Sequence, residues 1–146
     1  MQVLTSRFGL LTVDGDDILR FPKGLIGLED CRQWVLLADC ASESLAWLQS
    51  TTRPEIALAV VSPQRFLSDY QVRVSRNDLA PLGLERSEDA EVLSIVSSSA
   101  DEMTLNLKGP LVINLPRRLG RQVIAIGDAP LRLPLSPATG QLRRSA

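Results

Sequence analysis

The sequence predicts an all-β (β-rich) fold: a small antiparallel barrel-like single domain with a few short helices. Nine prolines and nine glycines in 146 residues cut the chain into short segments. Between them lie Val-, Ile- and Leu-rich runs of strand length. The connections are too short for helical crossovers, which favours antiparallel strands curled into a barrel or sandwich. An apolar content of 45% over this length supports one sizeable core and not two.

Gly9 to Val13 and Ile18 to Phe21 read as two strands, with the polar Asp14-Gly15-Asp16-Asp17 between them as a hairpin signal. Phe21 closes the second strand and Pro22 fixes a turn. Gly24 and Gly27 are then expected at positive φ or in tight packing, with Leu25, Ile26 and Leu28 folding back as a hydrophobic plug. A phosphate-binding loop does not fit, because neither G-x-G-x-x-G nor Gly-Lys-Ser/Thr is present. A G-x-x-G that clamps nucleic acid would join two helices in a basic setting, whereas Glu29 and Asp30 follow here.

Further strands are expected over Trp34 to Ala38, Leu45 to Ser50 and Ile56 to Val61, and from Tyr70 to Val74, where Val72 and Val74 alternate with Arg73 and Ser75. A short helical turn follows around Asn77 to Leu84. Strands resume at Glu91 to Ser97, Thr104 to Lys108, Pro110 to Asn114 and Arg121 to Gly127. Pro63, Pro81, Pro110 and Pro116 fall at strand starts or turns, where a missing N–H is harmless. Beyond Asp128 the periodicity fades, so the domain is expected to span residues 1–135, with 136–146 a disordered tail.

The chain has no histidine, which removes Ser-His and Cys-His triads and the commonest general base. Its two lysines, Lys23 and Lys108, sit in no nucleophile or phosphate motif. Asp69 and Glu55 lack a second group at a telling spacing, so no catalytic residue is assigned. No cofactor or metal site is assigned either. Cys31 and Cys40 are expected as reduced, partly buried thiols. The longest aliphatic run, Ile56 to Val61, is far below membrane-spanning length and no basic start precedes an apolar leader; a soluble cytoplasmic chain is expected.

The stretch Phe21-Pro22-x-Gly24-x-x-Gly27-x-Glu29 resembles the signature of the FliW family of flagellar assembly factors. The similarity continues through Leu48-Gln49-Ser50, Pro63 with Phe66 and Asp69-Tyr70, "NLKGPLVIN" from Asn106 to Asn114, and "GRQVI" from Gly120 to Ile124. It covers about residues 1–135, and the last two blocks are the more specific. Two positions depart. Leu133 stands where the family block resembling Arg-His-Pro-Leu has its histidine, and Leu28 stands where an aromatic is common. The resemblance implies a non-enzymatic regulator, monomeric when free. Such a protein binds the translational repressor CsrA, relieves its repression of flagellin synthesis, and exchanges it for flagellin.

Net charge is only −1, but residues 77–102 carry seven acids against Arg86, and residues 103–146 carry seven bases against Asp128. The acidic cluster around Glu88, Asp89 and Glu91 would repel RNA phosphates if it lay beside a repressor's RNA path. The candidate partner-binding residues are Phe66, Asp69, Tyr70, Asn106, Asn114, Arg132 and Pro134. Phe66, Asp69 and Tyr70 mix aromatic and charged groups where a proline-led turn enters a strand. Asn106 and Asn114 bracket a strand pair, where hydrogen bonds to turn backbone are an equally good use for them. Arg132 and Pro134 begin a departing arm that would add to a partner as a strand. The alternative is a small barrel that binds single-stranded nucleic acid directly, using the basic C-terminal third. Its six aromatic residues are scattered and core-like, which leaves that alternative without stacking platforms.

Overall fold

The computed structural model describes residues 1–99 and 102–135. In chain order the strands are β1 (Gln2–Thr5), β2 (Gly9–Thr12), β3 (Ile18–Arg20), β4 (Gln33–Ala38), β5 (Ala46–Ser50) and β6 (Ala57–Val61). Helix α1 (Arg76–Leu79) precedes β7 (Ala90–Ser99), β8 (Glu102–Leu105), β9 (Leu111–Asn114), β10 (Leu119–Gln122) and β11 (Leu133–Pro134). Strands β1 and β2 form a separate hairpin; the others form one sheet in the order β11-β8-β7-β6-β5-β4-β3-β10-β9. Because β9 also pairs with β7, the seven strands from β7 round to β9 close on themselves as a barrel. Closure removes sheet edges that would otherwise pair with other chains. Every pairing is antiparallel except one: β3 and β10 meet in parallel at Arg20↔Leu119.

Period-2 alternation sends Leu19, Phe21, Trp34, Leu48, Val60, Leu93, Leu111 and Ile113 into the barrel. Each such side chain contributes about 1.5–3 kcal/mol by leaving water. Trp34 is fully buried, and its indole N–H donates to the Cys31 carbonyl at 2.9 Å, so its one polar atom is satisfied. Three smaller clusters cover the outer wall. Val3, Val13, Ile18 and Val35 pack beneath the β1–β2 hairpin. Leu82, Val112 and Val123 pack with Val74, Leu79 and Leu84 beneath the α1 region. Val61, Phe66, Val96 and Leu105 pack with Leu133 and Leu135 beneath β11.

Strand β7 is long enough to serve several neighbours. Ala90–Leu93 pair with β9, Ser94 and Ile95 with β6, and Val96–Ser99 with β8. Residues 106–110 leave the ladder between β8 and β9. The Asn106 carboxamide oxygen secures that excursion by accepting from the backbone N–H groups of Lys108 (3.0 Å) and Gly109 (2.9 Å).

Several sequence expectations are corrected. Strand β1 adds an element to those expected. Its partner is β2, which leaves Asp14–Asp17 outside any hairpin; Asp17 N–H bonds Asp14 O in a 3₁₀ turn and β3 pairs with β4 instead. The stretch from Tyr70 to Val74 is not a strand. Val72 and Val74 are half-buried against the groove and outer wall, so their alternation reports burial; the Ile126 N–H to Arg73 O bond ties the stretch down without making it a strand. The strand expected from Arg121 to Gly127 begins earlier and stops at Gln122, and the one expected from Thr104 to Lys108 stops at Leu105. The helical turn around Asn77 to Leu84 is present as α1 and a 3₁₀ turn.

Gly24 and Gly27 do adopt positive φ, 63° and 85°. Ile26 is no part of the plug, however, being 63% exposed. The bridge Leu25↔Leu28 leaves Ile26 and Gly27 at the tip of a two-residue turn, pointing outward while Leu25 and Leu28 pack on the core. Both cysteines are free thiols, Cys31 buried and Cys40 exposed. The expected disordered tail, 136–146, lies outside the described residues, as does Asp101.

Candidate functional site

Three sequence blocks far apart in the chain meet at the β3–β10–β9 seam. Phe21 packs against Gly120. Gln122 ties the other ends together: its carbonyl oxygen accepts from Ile26 N–H at 2.8 Å and its amide donates to Gly109 O at 2.9 Å. The Phe21–Gly27 loop, the Asn106–Asn114 block and the Gly120–Ile124 block therefore secure one another where the barrel closes.

The expected contact residues divide by position. Asn114 is buried; its amide donates to Leu82 O at 2.8 Å and its oxygen accepts from Arg117 N–H at 3.4 Å. Asn106 is the turn former described above. Phe66 is only 8% exposed and belongs to the cluster beneath β11. Arg132, just before β11, and Pro134, on it, are exposed; β11 adds to the chain's own β8 through Leu133↔Leu105 and Pro134↔Thr104. Leu133, the departure from the family histidine, packs half-buried in the apolar cluster there, a position suited to leucine. Leu28, the other departure, packs on the main core.

Tyr70 and Glu91 are brought together. Both line a groove of about 500 Å³ between the Ser62–Gln64 turn, the Tyr70–Val72 stretch and the start of β7. The groove exists because β6 pairs with β7 only as far as Val61↔Ser94, after which Pro63 starts a 3₁₀ turn that carries the chain away. Its apolar lining comes from Val72, Leu79, Leu84, Val92 and Val112. Burial pushes the Tyr70 phenol above its ordinary pKa, so it remains a neutral hydrogen-bonding group at neutral pH. Ser87 and Ala90 also line the groove, so Glu88 and Asp89, on the 3₁₀ turn between them, lie at its margin with Glu91. Asp69 is exposed next to Tyr70. Sequence reasoning missed Ser62, Gln64, Leu84 and Ser87, which come from separate segments and carry no shared spacing.

A second cluster lies where the hairpin tip folds over β5. The Arg7 guanidinium stands 4.1 Å from the Trp47 ring centroid, and Phe8 meets the same ring edge-on at 6.1 Å. The Trp47 indole donates to Asp39 Oδ1 at 3.0 Å and, as the main cause, holds that carboxyl below its ordinary pKa. Among the described residues no three His, Cys, Asp or Glu side chains converge as metal ligands, and no helix is long and apolar enough to cross a membrane.

The architecture defines a class, a small closed β-barrel with satellite clusters on its outer wall. A family model described as FliW protein matches residues 2–135. The flagellar assembly factor FliW of Natranaerobius thermophilus is 37% identical over 127 residues, covering 85% of this chain and 84% of that protein. That of Bdellovibrio bacteriovorus is 40% identical, with 85% and 72% covered, and that of Magnetococcus marinus is 36% identical, with 100% and 93% covered. A crystal structure of the flagellar assembly factor FliW superposes with a TM-score of 0.85 at 28% identity, covering 96% of this chain and all of that one. The chain belongs to the FliW family of flagellar assembly factors.

Proposed function

We propose that this protein is a non-enzymatic regulator that binds a CsrA-type translational repressor, relieves repression of flagellin synthesis, and exchanges the repressor for flagellin. It acts in the cytoplasm and is a monomer when free. The observation that carries the reading is the acidic margin of the groove. Glu88, Asp89 and Glu91 stand together there, and among the described residues none is held in an ion pair. Unpaired carboxylates beside a bound repressor would raise the electrostatic cost of bringing RNA phosphates to it. Asp69 and Tyr70 extend the same surface with a charge and a half-buried aromatic, a mixture suited to protein contact. Direct binding of single-stranded nucleic acid has less support: Phe21, Trp34 and Phe66 are buried, Phe8 and Trp47 pack on each other, and Tyr70 stands apart from them in the groove, which makes no run of stacking platforms.

The test is a gel-shift titration with purified repressor, its RNA target and this protein. The expected result is loss of the repressor–RNA band without any shift of RNA by this protein alone. The variant Glu88→Lys/Asp89→Lys/Glu91→Lys should inhibit less, and wild-type inhibition should weaken with salt, because surface charges are screened over about 8 Å at physiological ionic strength. The variant's thermal unfolding should be nearly unchanged. An RNA shift by this protein alone would select the nucleic-acid alternative, and a repressor unaffected at saturation would reject the reading.

A further inference from the structure

The groove borders a piece of strand with a free side. Ala90–Leu93 of β7 pair with β9 on one edge, whereas β6 reaches only Ser94 and Ile95 on the other. Backbone groups of successive residues in an antiparallel strand point alternately to the two edges. About two residues of this stretch therefore present N–H and C=O toward the place β6 vacates. No other strand occupies that place among the described residues, and the opening beside it is the groove of about 500 Å³.

We propose that an extended peptide segment of a protein partner docks here by strand addition to β7. Backbone pairing with Ala90–Leu93 would give it register, since an added strand takes up its partner's ladder and offers alternate side chains to pockets. One face of the guest then meets Val72, Leu84 and Val92. The guest is basic as well as apolar, because Glu88, Asp89 and Glu91 mark this margin and outnumber the opposing exposed cations of the bordering turns, Arg65 and Arg86. Tyr70 closes one side with a polarisable ring beside the guest backbone.

This inference rests on the reading that the chain binds proteins, but its test uses neither repressor nor flagellin, so the two fail separately. The probe is an acetylated, amidated hexapeptide alternating arginine and valine, titrated into the isotopically labelled full chain. Saturable shifts of the Ala90–Leu93 and Tyr70 amide resonances are expected. The alternating glutamate–valine peptide should bind at least about tenfold more weakly. An arginine–valine peptide N-methylated at every residue should lose binding, because methylation removes the ladder donors on both edges while keeping the charge. Equal binding by the methylated peptide would overturn strand addition in favour of a charged patch. Shifts confined to other regions, or no saturable binding, would overturn the site. The same resonances moving more strongly with a single-stranded oligonucleotide would assign the groove to nucleic acid.

Discussion

The ring of Phe21 occupies the space that a side chain on Gly120 would need: a Cβ built there would lie 2.6 Å from the Phe21 Cε2 atom. The parallel contact Arg20↔Leu119 brings these neighbours together, with Phe21 fully buried at the seam. Gly120→Ala should therefore lower stability by about 1–3 kcal/mol through overpacking. Phe21→Leu frees room, so in the double variant the alanine should cost less, with a coupling of about 0.5–3 kcal/mol in urea unfolding. Strictly additive losses would show that the ring does not set the requirement for glycine.

The two glycines of the Phe21–Gly27 loop have different reasons to be glycine. Both sit at positive φ, but a Cβ at Gly24 would meet Leu28 O at 2.5 Å and Glu29 Cα at 2.6 Å, whereas one at Gly27 meets nothing within 4 Å. Gly27→Ala should show backbone strain alone, about 1–3 kcal/mol. Gly24→Ala should exceed it by more than about 1 kcal/mol, because the obstructing atoms are backbone and cannot rotate away. Equal losses for the two variants in chemical denaturation would refute that difference.

Asp39 gives a pH dependence of known sign. Its carboxyl is held below the ordinary 3.8, first by the Trp47 indole and further by the Ala41 and Ser42 backbone and Arg7, with desolvation opposing. A carboxylate lowered on folding binds fewer protons in the native state, so it stabilises fully above the unfolded pKa and loses that contribution as pH falls through the folded value. Trp47→Phe removes the donor. An NMR titration should then place Asp39 closer to 3.8, and the variant's stability should change less between neutral pH and pH about 3. A titration unchanged by the substitution would show that another group sets the shift.

The barrel was legible in the sequence wherever an apolar run of strand length also pairs, as in Trp34 to Ala38 and Pro110 to Asn114. Alternation misled at Val72 and Val74, where a period of two serves packing on the outer wall and groove. The Asp14–Asp17 turn misled because hairpin signals assume that sequence neighbours pair, while β3 finds β4 and, from the far end of the chain through Arg20↔Leu119, β10. Of the site, the acids and Tyr70 could be singled out by type. The groove itself could not, because it depends on where β6 stops, and only the closed sheet sets that point.

Strand β11 is the outermost strand of the described sheet, and its hydrogen-bond phase decides what can happen there. Leu135 N–H donates to Met103 O, so by alternation Leu133 also turns toward β8 while Pro134 turns outward. A proline has no N–H to offer a newcomer. The ladder is thereby chain-terminated at its β11 end, in the sense that a polymer is. A strand arriving at this end of the described sheet meets a missing donor at the position where the ladder would next need one.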